Sequence, residues 1–237
     1  DVPKGQGIVT DMKAIRADEV LTDIHSNLVD QWDWEKVIGR EDRTIATLID
    51  HGQKVYSALL RTEEYISAKL GEESRLPFSI NIIHSEDLLD EFPGLSAKER
   101  EHAAAKKYGA VLLIGIGGTL INGERHDLRA PDYDDWSTPD KYGRKGLNAD
   151  ILVWDSVREK SLEISSMGVR VDEKALRLQL EELGKEDRLN LPFHKFLLEG
   201  QLPYTIGGGI GQSRVAMFVT RSKKISEVQA TSDIGFV

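Results

Sequence analysis

The sequence predicts an α+β fold in which helices flank an antiparallel β-sheet. Predicted strands come in consecutive pairs, at 7–15 with 28–37 and at 149–154 with 162–171, instead of alternating singly with helices. Within the first pair, residues 28–37 alternate strongly between apolar and polar side chains, as expected of a strand with one buried face. Apolar side chains between residues 44 and 70 recur at three- and four-residue steps, which predicts a long amphipathic helix.

The other elements follow from local signals along the chain. Ser96 with Glu99 three residues later forms a capping box, which predicts a helix that ends near Gly109. The short separation of the strands at 149–154 and 162–171 predicts a hairpin. Also predicted are strands at 80–83 and 110–116, a loop at 125–139, helices at 173–183 and 191–198, and a glycine-rich turn that opens a last helix near Gln212. No repeat or interdomain linker interrupts this order, so residues 1–237 are expected to form a single domain.

The composition limits the classes of function. With 31 Lys and Arg against 40 Asp and Glu, the net charge is −9, which argues against broad capture of nucleic acid. The sequence has no cysteine, which excludes a disulfide framework, a thiolate metal site and a cysteine nucleophile. No stretch approaches the ~18 to 20 apolar residues of a membrane span. We therefore expect a cytoplasmic protein that acts on small molecules, without a membrane or nucleic acid as partner.

The glycine-rich segment at 205–214 is a candidate nucleotide site. Glycines allow a backbone to lie against a flat ligand, and a helix N-terminus together with Arg214 favours phosphate. The alternative is a tight strand-to-helix turn with a solvent-facing arginine. The arginine in the first helical turn favours the phosphate site.

Two carboxylates on the predicted hairpin form a candidate metal site. Asp150 and Glu163 lie thirteen residues apart, an odd spacing that allows them to face each other on one side of the hairpin. Two such carboxylates could hold the Mg²⁺ that accompanies ATP. On spacing alone, a pair of solvated acids is the simpler interpretation. The loop at 125–136, rich in charged and aromatic residues, is a further but unspecific candidate because functional groups often lie on loops.

Four sequence blocks, in order, resemble the asparagine synthetase A family, ammonia-dependent aspartate ligases related to the aspartyl-, asparaginyl- and lysyl-tRNA synthetases. The blocks are VDQWDWE at 29–35, RAPDYDDWSTP at 129–139, ISSMGVR at 164–170 and the glycine segment at 207–214. The resemblance extends to about Gln229. It implies a class II aminoacyl-tRNA synthetase type of catalytic core.

The resemblance also implies a set of site residues. Arg16 is similar to the arginine that follows the second strand of class II motif 2 and grips the α-phosphate, and Arg214 to the motif 3 arginine; both would be catalytic. The implied ATP-binding residues are Arg16, Asp150, Glu163, Gly209, Gly211 and Arg214, of which Asp150 and Glu163 would hold Mg²⁺. The implied substrate-binding residues are Gln31, Asp33, Asp134, Ser166, Arg170 and Gly208, with Arg170 on the carboxylate that is not activated.

The reaction implied by the resemblance uses ATP and Mg²⁺ to convert aspartate and ammonia to asparagine. The β-carboxylate of aspartate would attack the α-phosphate of ATP to give β-aspartyl-adenylate and pyrophosphate. Ammonia would then displace AMP. The absence of cysteine agrees with free ammonia as the nitrogen source, because a cysteine glutaminase would need a thiolate.

The sequence departs from the family at both ends. The N-terminal region that carries motif 1, the first strand of motif 2 and some aspartate contacts is expected to be missing. Residues 230–237 do not follow the tail expected of the family. Because motif 1 builds the family's dimer, the resemblance implies a homodimer where that region is present.

Two other functions remain open at this stage. A class II aminoacyl-tRNA synthetase core would use the same ATP chemistry but transfer the amino acid to tRNA. A non-catalytic module would bind ATP or an amino acid without turnover.

Overall fold

One seven-stranded β-sheet organises residues 2–229, the part of the chain that this computed structural model describes. The strands are β1 (Gly7–Ile15), β2 (Leu28–Val37), β3 (Asn81–His84), β4 (Ala110–Ile114), β5 (Asn148–Asp155), β6 (Lys160–Val169) and β7 (Thr205–Gly211). Their order across the sheet is β1-β2-β7-β6-β5-β4-β3. Every neighbouring pair is antiparallel except β3 and β4, which are parallel. The predicted antiparallel sheet is therefore a mixed sheet.

Six α-helices accompany this sheet in the described residues. They are α1 (Ile45–Leu70), α2 (Ser85–Glu91), α3 (Ala97–Tyr108), α4 (Glu173–Glu182), α5 (Pro192–Leu198) and α6 (Gln212–Val219). The sequence analysis missed α2, a seven-residue helix between β3 and α3. None of the helices within 2–229 combines the length and the apolar character needed to cross a membrane.

Local signals fix the ends of the two best-predicted helices. The hydroxyl of Thr44 accepts a hydrogen bond from the backbone N–H of Thr47 at the start of α1, and Gly71 ends this helix with a φ of 71°. The predicted capping box of Ser96 and Glu99 is confirmed at the start of α3. Elsewhere the predicted bounds differ from the observed bounds by a few residues, as is usual for frayed ends.

The two faces of the sheet carry separate apolar clusters. On one face, α1 and α6 cover alternate residues of the central strands, including Ile151 and Val153 of β5. On the other face, α2 and α3 cover the edge near β3 and β4, where Leu152 is buried. Helices α4 and α5 form a third cluster beside the end of β6. The second face remains uncovered over β2, β7 and β6.

The glycine segment is a strand and not a turn, which corrects the prediction. Strand β7 pairs with β2 on one side and with β6 on the other. A Cβ atom at Gly209 would lie 2.7 Å from Asp33 Oδ1 and 3.0 Å from Gln31 Oε1. Glycine is thus required at Gly207 and Gly209 because polar side chains of the neighbouring strands lie across β7.

Candidate active site

A cleft of about 240 Å³ lies on the uncovered part of the sheet. The connection between β1 and β2 and the loop around Tyr133 form its walls, and β2, β7 and β6 form its floor. It is lined by eleven of the predicted site residues: Arg16, Gln31, Asp33, Asp134, Glu163, Ser166, Arg170, Gly208, Gly209, Gly211 and Arg214. Asp150 does not line it.

The strand register explains why residues so distant in sequence meet here. Asp33 of β2 pairs with Gly209 of β7, Gly209 pairs with Ser166 of β6, and Ser166 pairs with Asp150 of β5. Paired residues in adjacent strands point to the same face. These four residues therefore form one row across the sheet, with the glycine leaving space at its centre.

At one end of the cleft, Arg170 is enclosed by acidic and aromatic groups. Its Nη2 donates to Glu35 Oε2 at 2.8 Å and its Nη1 donates to Asp134. Its guanidinium carbon lies 3.9 Å from the ring centroid of Tyr133. Burial opposes the charge of Arg170, yet Asp134 and Glu35 outweigh this effect and raise the pKa of Arg170.

The same end of the cleft has excess negative charge. Arg170 pairs with two carboxylates, Asp134 and Glu35, and a third carboxylate, Asp33, lines the same cleft. Burial raises the pKa of Asp33, whereas Arg170 lowers it. This arrangement suits a ligand that carries an ammonium group together with a carboxylate, because each charge finds an opposite partner.

At the other end, two arginines converge from different elements. Arg214 lies in the first turn of α6, and its Nη1 donates to the backbone oxygen of Glu163 at 3.0 Å. Asp30 of β2 fixes this helix start by accepting hydrogen bonds from the N–H and the hydroxyl of Ser213. Arg16 follows β1, and its Nη1 lies 3.4 Å from Glu19 Oε2.

The structure places Arg16 at the start of the connection between two paired strands. Strand β1 pairs with β2, which follows it in the chain. The side chain of Arg16 is 58% exposed, so its charge remains available to a ligand.

His25 lies between the two arginines on the cleft wall. Its Nδ1 lies 2.8 Å from the hydroxyl oxygen of Thr22. Burial and the nearby charge of Arg214 lower the pKa of His25. The imidazole is therefore neutral at neutral pH and adds no third positive charge.

Asp150 and Glu163 are not directly opposite each other, contrary to the prediction. A β-bulge shifts the register, so that Asp150 pairs with Ser166 and Glu163 pairs with Leu152. The bulge nevertheless keeps both carboxylates on one face. Burial and the charge of Glu163 raise the pKa of Asp150 to about 7, although Arg129 opposes them.

The carboxylate of Asp150 is hidden beneath an arginine that the sequence analysis did not select. Arg129 donates through Nη2 to Asp150 Oδ2 and lies 3.4 Å from the hydroxyl of Ser166 through Nη1. Asp150 is 5% exposed. Within residues 2–229, no cluster of three or more His, Cys, Asp or Glu side chains is arranged to hold a metal ion.

Sequence reasoning missed Glu35, which pairs with Arg170, and two residues that line the cleft, Tyr133 and Glu19. Glu35 follows Gln31 and Asp33 at two-residue steps, and this alternation predicts a shared face, so it could have been found. Tyr133 and Glu19 lie in irregular connections. No periodic signal indicates where the side chain of a loop residue points.

Two buried residues hold Asp134 and Arg170 from behind the cleft. Gln179 of α4 donates to the backbone oxygens of Pro131 and Asp134 at 2.9 and 3.0 Å and accepts from the N–H of Trp136 at 2.9 Å. Arg43 pairs with Asp135 at 2.7 Å and donates to the backbone oxygen of Arg170. Residues outside the cleft thus set the position of this ion pair.

Replacing Gln179 with leucine is expected to raise the KM for a ligand bound at the Arg170 end of the cleft about tenfold and leave the KM for a ligand at the Arg214 end unchanged. The substitution leaves three buried backbone groups without partners, which also destabilises the fold by about 2 kcal/mol or more. Steady-state kinetics and urea unfolding would measure both effects. Leu59→Ala in α1 is the control, because this buried residue lies on the other face and its loss costs about 2–5 kcal/mol without touching the loop. An equal KM change in both variants would contradict a positioning role.

A comparison with known protein families shows to which family this chain belongs. A family model described as aspartate–ammonia ligase matches residues 1–233. The chain belongs to the aspartate–ammonia ligase family. The family resemblance inferred from the four sequence blocks is thereby confirmed.

Solved structures show that this family member has the fold of a class II aminoacyl-tRNA synthetase core. Aspartyl-tRNA synthetase from Entamoeba histolytica matches with a TM-score of 0.69 and 15% identity, over 94% of this chain and 47% of that one. Asparaginyl-tRNA synthetase from Entamoeba histolytica, in complex with asparaginyl-adenylate, matches with a TM-score of 0.68 and 13% identity, over 94% and 51%. Asparaginyl-tRNA synthetase from Pyrococcus horikoshii, in complex with asparaginyl-adenylate, matches with a TM-score of 0.65 and 15% identity, over 94% of this chain and 51% of that one. The chain spans about half the length of these synthetases.

Proposed function

We propose that this chain is the catalytic core of an enzyme that converts aspartate and ammonia to asparagine, with ATP cleaved to AMP and pyrophosphate. The observation that carries this proposal is the cleft over β2, β7 and β6, in which the row from Asp33 through Gly209 to Ser166 lies between an acidic end around Arg170 and a basic end around Arg214. Aspartate and ATP have the complementary charges. Membership of the aspartate–ammonia ligase family supports the same reaction.

The acidic end would bind aspartate. Asp33 and Asp134 face the substrate ammonium group, Gln31 adds a neutral hydrogen-bonding group, and Arg170 takes the α-carboxylate. With both of these groups held, the β-carboxylate would point away from Arg170, past Gly209 and towards the basic end of the cleft. Gly209 leaves the space that the substrate backbone needs, and the backbone of Gly208 lines the cleft beside it.

The basic end would bind ATP and stabilise the charge that develops at its α-phosphate. Arg214 and Arg16 approach the cleft from α6 and from the β1–β2 connection, and Gly211 lies beneath them. The attacking β-carboxylate is already ionised at neutral pH, so adenylate formation requires no general base. The chain therefore acts by holding the reactants in line and by neutralising charge.

Mg²⁺ fits the carboxylates of Asp150 and Glu163 as a shared ligand and not as an all-protein site. Among residues 2–229, no hydrogen-bond partner reaches the buried Oδ1 of Asp150, and carboxylate oxygens are ligands that Mg²⁺ prefers. Mg²⁺ usually takes one or two carboxylates and completes its coordination with substrate phosphates and water. The ion would supply positive charge to the phosphates of ATP.

The second step would take place in the same cleft. Ammonia would attack the activated carbonyl of β-aspartyl-adenylate, the bond between that carbonyl carbon and the phosphate oxygen would break, AMP would leave with the electron pair, and the attacking nitrogen would release one proton to water. The lack of cysteine supports free ammonia as the nitrogen source. We also propose that the protein is a cytoplasmic homodimer in which this chain forms one catalytic-core domain.

An aminoacyl-tRNA synthetase core is the second candidate, because the fold is shared with synthetases. Both enzymes would exchange pyrophosphate into ATP in the presence of their amino acid. The two are separated by a direct assay for transfer of labelled aspartate or asparagine to tRNA. We expect aspartate-dependent exchange that tRNA does not change and no labelled tRNA. Labelled tRNA would replace the ligase proposal with the synthetase, and ATP binding without exchange would favour a non-catalytic module.

A further inference from the structure

Arg129 and Asp150 form a buried ion pair in which each partner has an unused polar atom. Asp150 Oδ2 accepts from Arg129, while no partner within residues 2–229 reaches Asp150 Oδ1 or Arg129 Nε, both of them buried. Buried polar groups in folded proteins are nearly always hydrogen-bonded, so two unpaired atoms in one ion pair require an explanation. Each is suited to a ligand of opposite charge: a cation at Oδ1 and an anion at Nε.

This ion pair lies at the edge of the cleft floor, beside Ser166. Asp150 and Ser166 are neighbours in the row across the sheet, and the second terminal nitrogen of Arg129 lies 3.4 Å from the Ser166 hydroxyl on the cleft floor. Glu163 faces the same space from β6. A small rotation of the arginine side chain would therefore move its charge from Asp150 into the cleft.

We propose that Arg129 is a displaceable counter-ion, which occupies the cation position at Asp150 in the nucleotide-free protein and moves to the nucleotide phosphates when a divalent cation replaces it. This inference rests on the proposed function, which places ATP and Mg²⁺ at this end. One positive group is exchanged for another at the same carboxylate. Before nucleotide binds, Arg129 neutralises the charge of Asp150. After nucleotide and cation bind, the cation neutralises Asp150 and Arg129 contacts the phosphates.

Competition between Arg129 and the cation has a direct consequence. Removal of the guanidinium should strengthen binding of a divalent cation in the absence of nucleotide, because the cation no longer has to displace it. If Arg129 only held the Asp150 carboxylate in place, its removal would have the opposite effect on the affinity for a divalent cation. Its loss would let the carboxylate move or become protonated, and cation binding would weaken.

The test is Mn²⁺ binding to the nucleotide-free protein, measured by electron paramagnetic resonance. We expect Arg129→Met and Arg129→Gln to bind Mn²⁺ at least about tenfold more tightly than the unchanged protein. Asp150→Asn added to either variant should remove the gain. Arg125→Met is the matched control, since Arg125 lies in the same loop with the same 21% side-chain exposure but pairs with Glu182. Its Mn²⁺ affinity should equal that of the unchanged protein.

Two results would overturn the proposal. One is Mn²⁺ binding that is no tighter in either neutral Arg129 variant, and the other is a gain that survives Asp150→Asn. The two replacements differ in shape and polarity, so a folding defect in one leaves the other to decide. The measurement needs neither aspartate nor turnover. A protein that makes no asparagine would refute the proposed function, whereas the Mn²⁺ result judges the exchange of counter-ions on its own.

Discussion

Arg214→Ala is expected to lower the rate of aspartate-dependent ATP–pyrophosphate exchange by about 10²- to 10³-fold, the usual cost of losing one donor to developing charge. Arg214 enters the cleft from the first turn of α6, where the positive end of the helix dipole adds to its charge. Arg214 Nη1 lies 3.6 Å from Glu163 Oε1, and the two side chains form a partly exposed ion pair. Such pairs contribute no more than about 1 kcal/mol, so the fold should be retained.

Arg221→Ala is the matched control for this variant. Arg221 has a side-chain exposure of 24%, close to the 22% of Arg214, but it pairs with Glu72 and does not line the cleft. Its exchange rate should equal that of the unchanged protein. Normal exchange in Arg214→Ala, or an equal loss in both variants, would remove Arg214 from the assigned role.

Arg170→Ala is expected to raise the KM for aspartate by at least about 100-fold, which corresponds to about 2.7 kcal/mol. The substitution removes the group assigned to the α-carboxylate. It also leaves Asp134, which is 7% exposed, without its main counter-ion, and losing one partner of a buried pair costs about 3–5 kcal/mol of stability. Steady-state kinetics and thermal unfolding would report the two effects separately.

Arg170→Lys separates recognition from stability. Lysine keeps a positive charge near Asp134 but cannot form the two-pronged contact that Arg170 makes with Glu35. We expect most of the stability to return while the KM for aspartate stays raised. An aspartate KM close to that of the unchanged protein in both variants would exclude Arg170 from the substrate site.

The sequence was a good guide wherever a local pattern decides the structure. Strand β2 lies at the predicted position because its alternating side chains favour a strand with one inward face, and β1 lies at the predicted position through backbone pairing with β2, although most of its side chains are exposed. The capping box at Ser96 decides the start of α3 through bonds within four residues. Eleven of the twelve predicted site residues line one cleft, and nine of these eleven lie in the four family blocks.

The features that were missed depend on contacts between distant segments. The glycines of β7 resemble a turn in isolation, and the side chains of Gln31 and Asp33 that lie across them come from another strand. The bulge that sets Asp150 opposite Ser166 depends on the pairing of β5 with β6. The cover of Arg129 over Asp150 joins a loop to a strand 21 residues later, and no periodicity predicts such a contact.

The most direct test of the central claim is product formation from aspartate, ATP, Mg²⁺ and ammonium by the purified protein, with no tRNA present. If the acidic end of the cleft binds aspartate and the basic end binds ATP, we expect asparagine, AMP and pyrophosphate in equal amounts. Formation of all three should depend on both aspartate and ammonium. ATP cleavage to ADP and phosphate, or bound ATP without aspartate-dependent AMP, would contradict it.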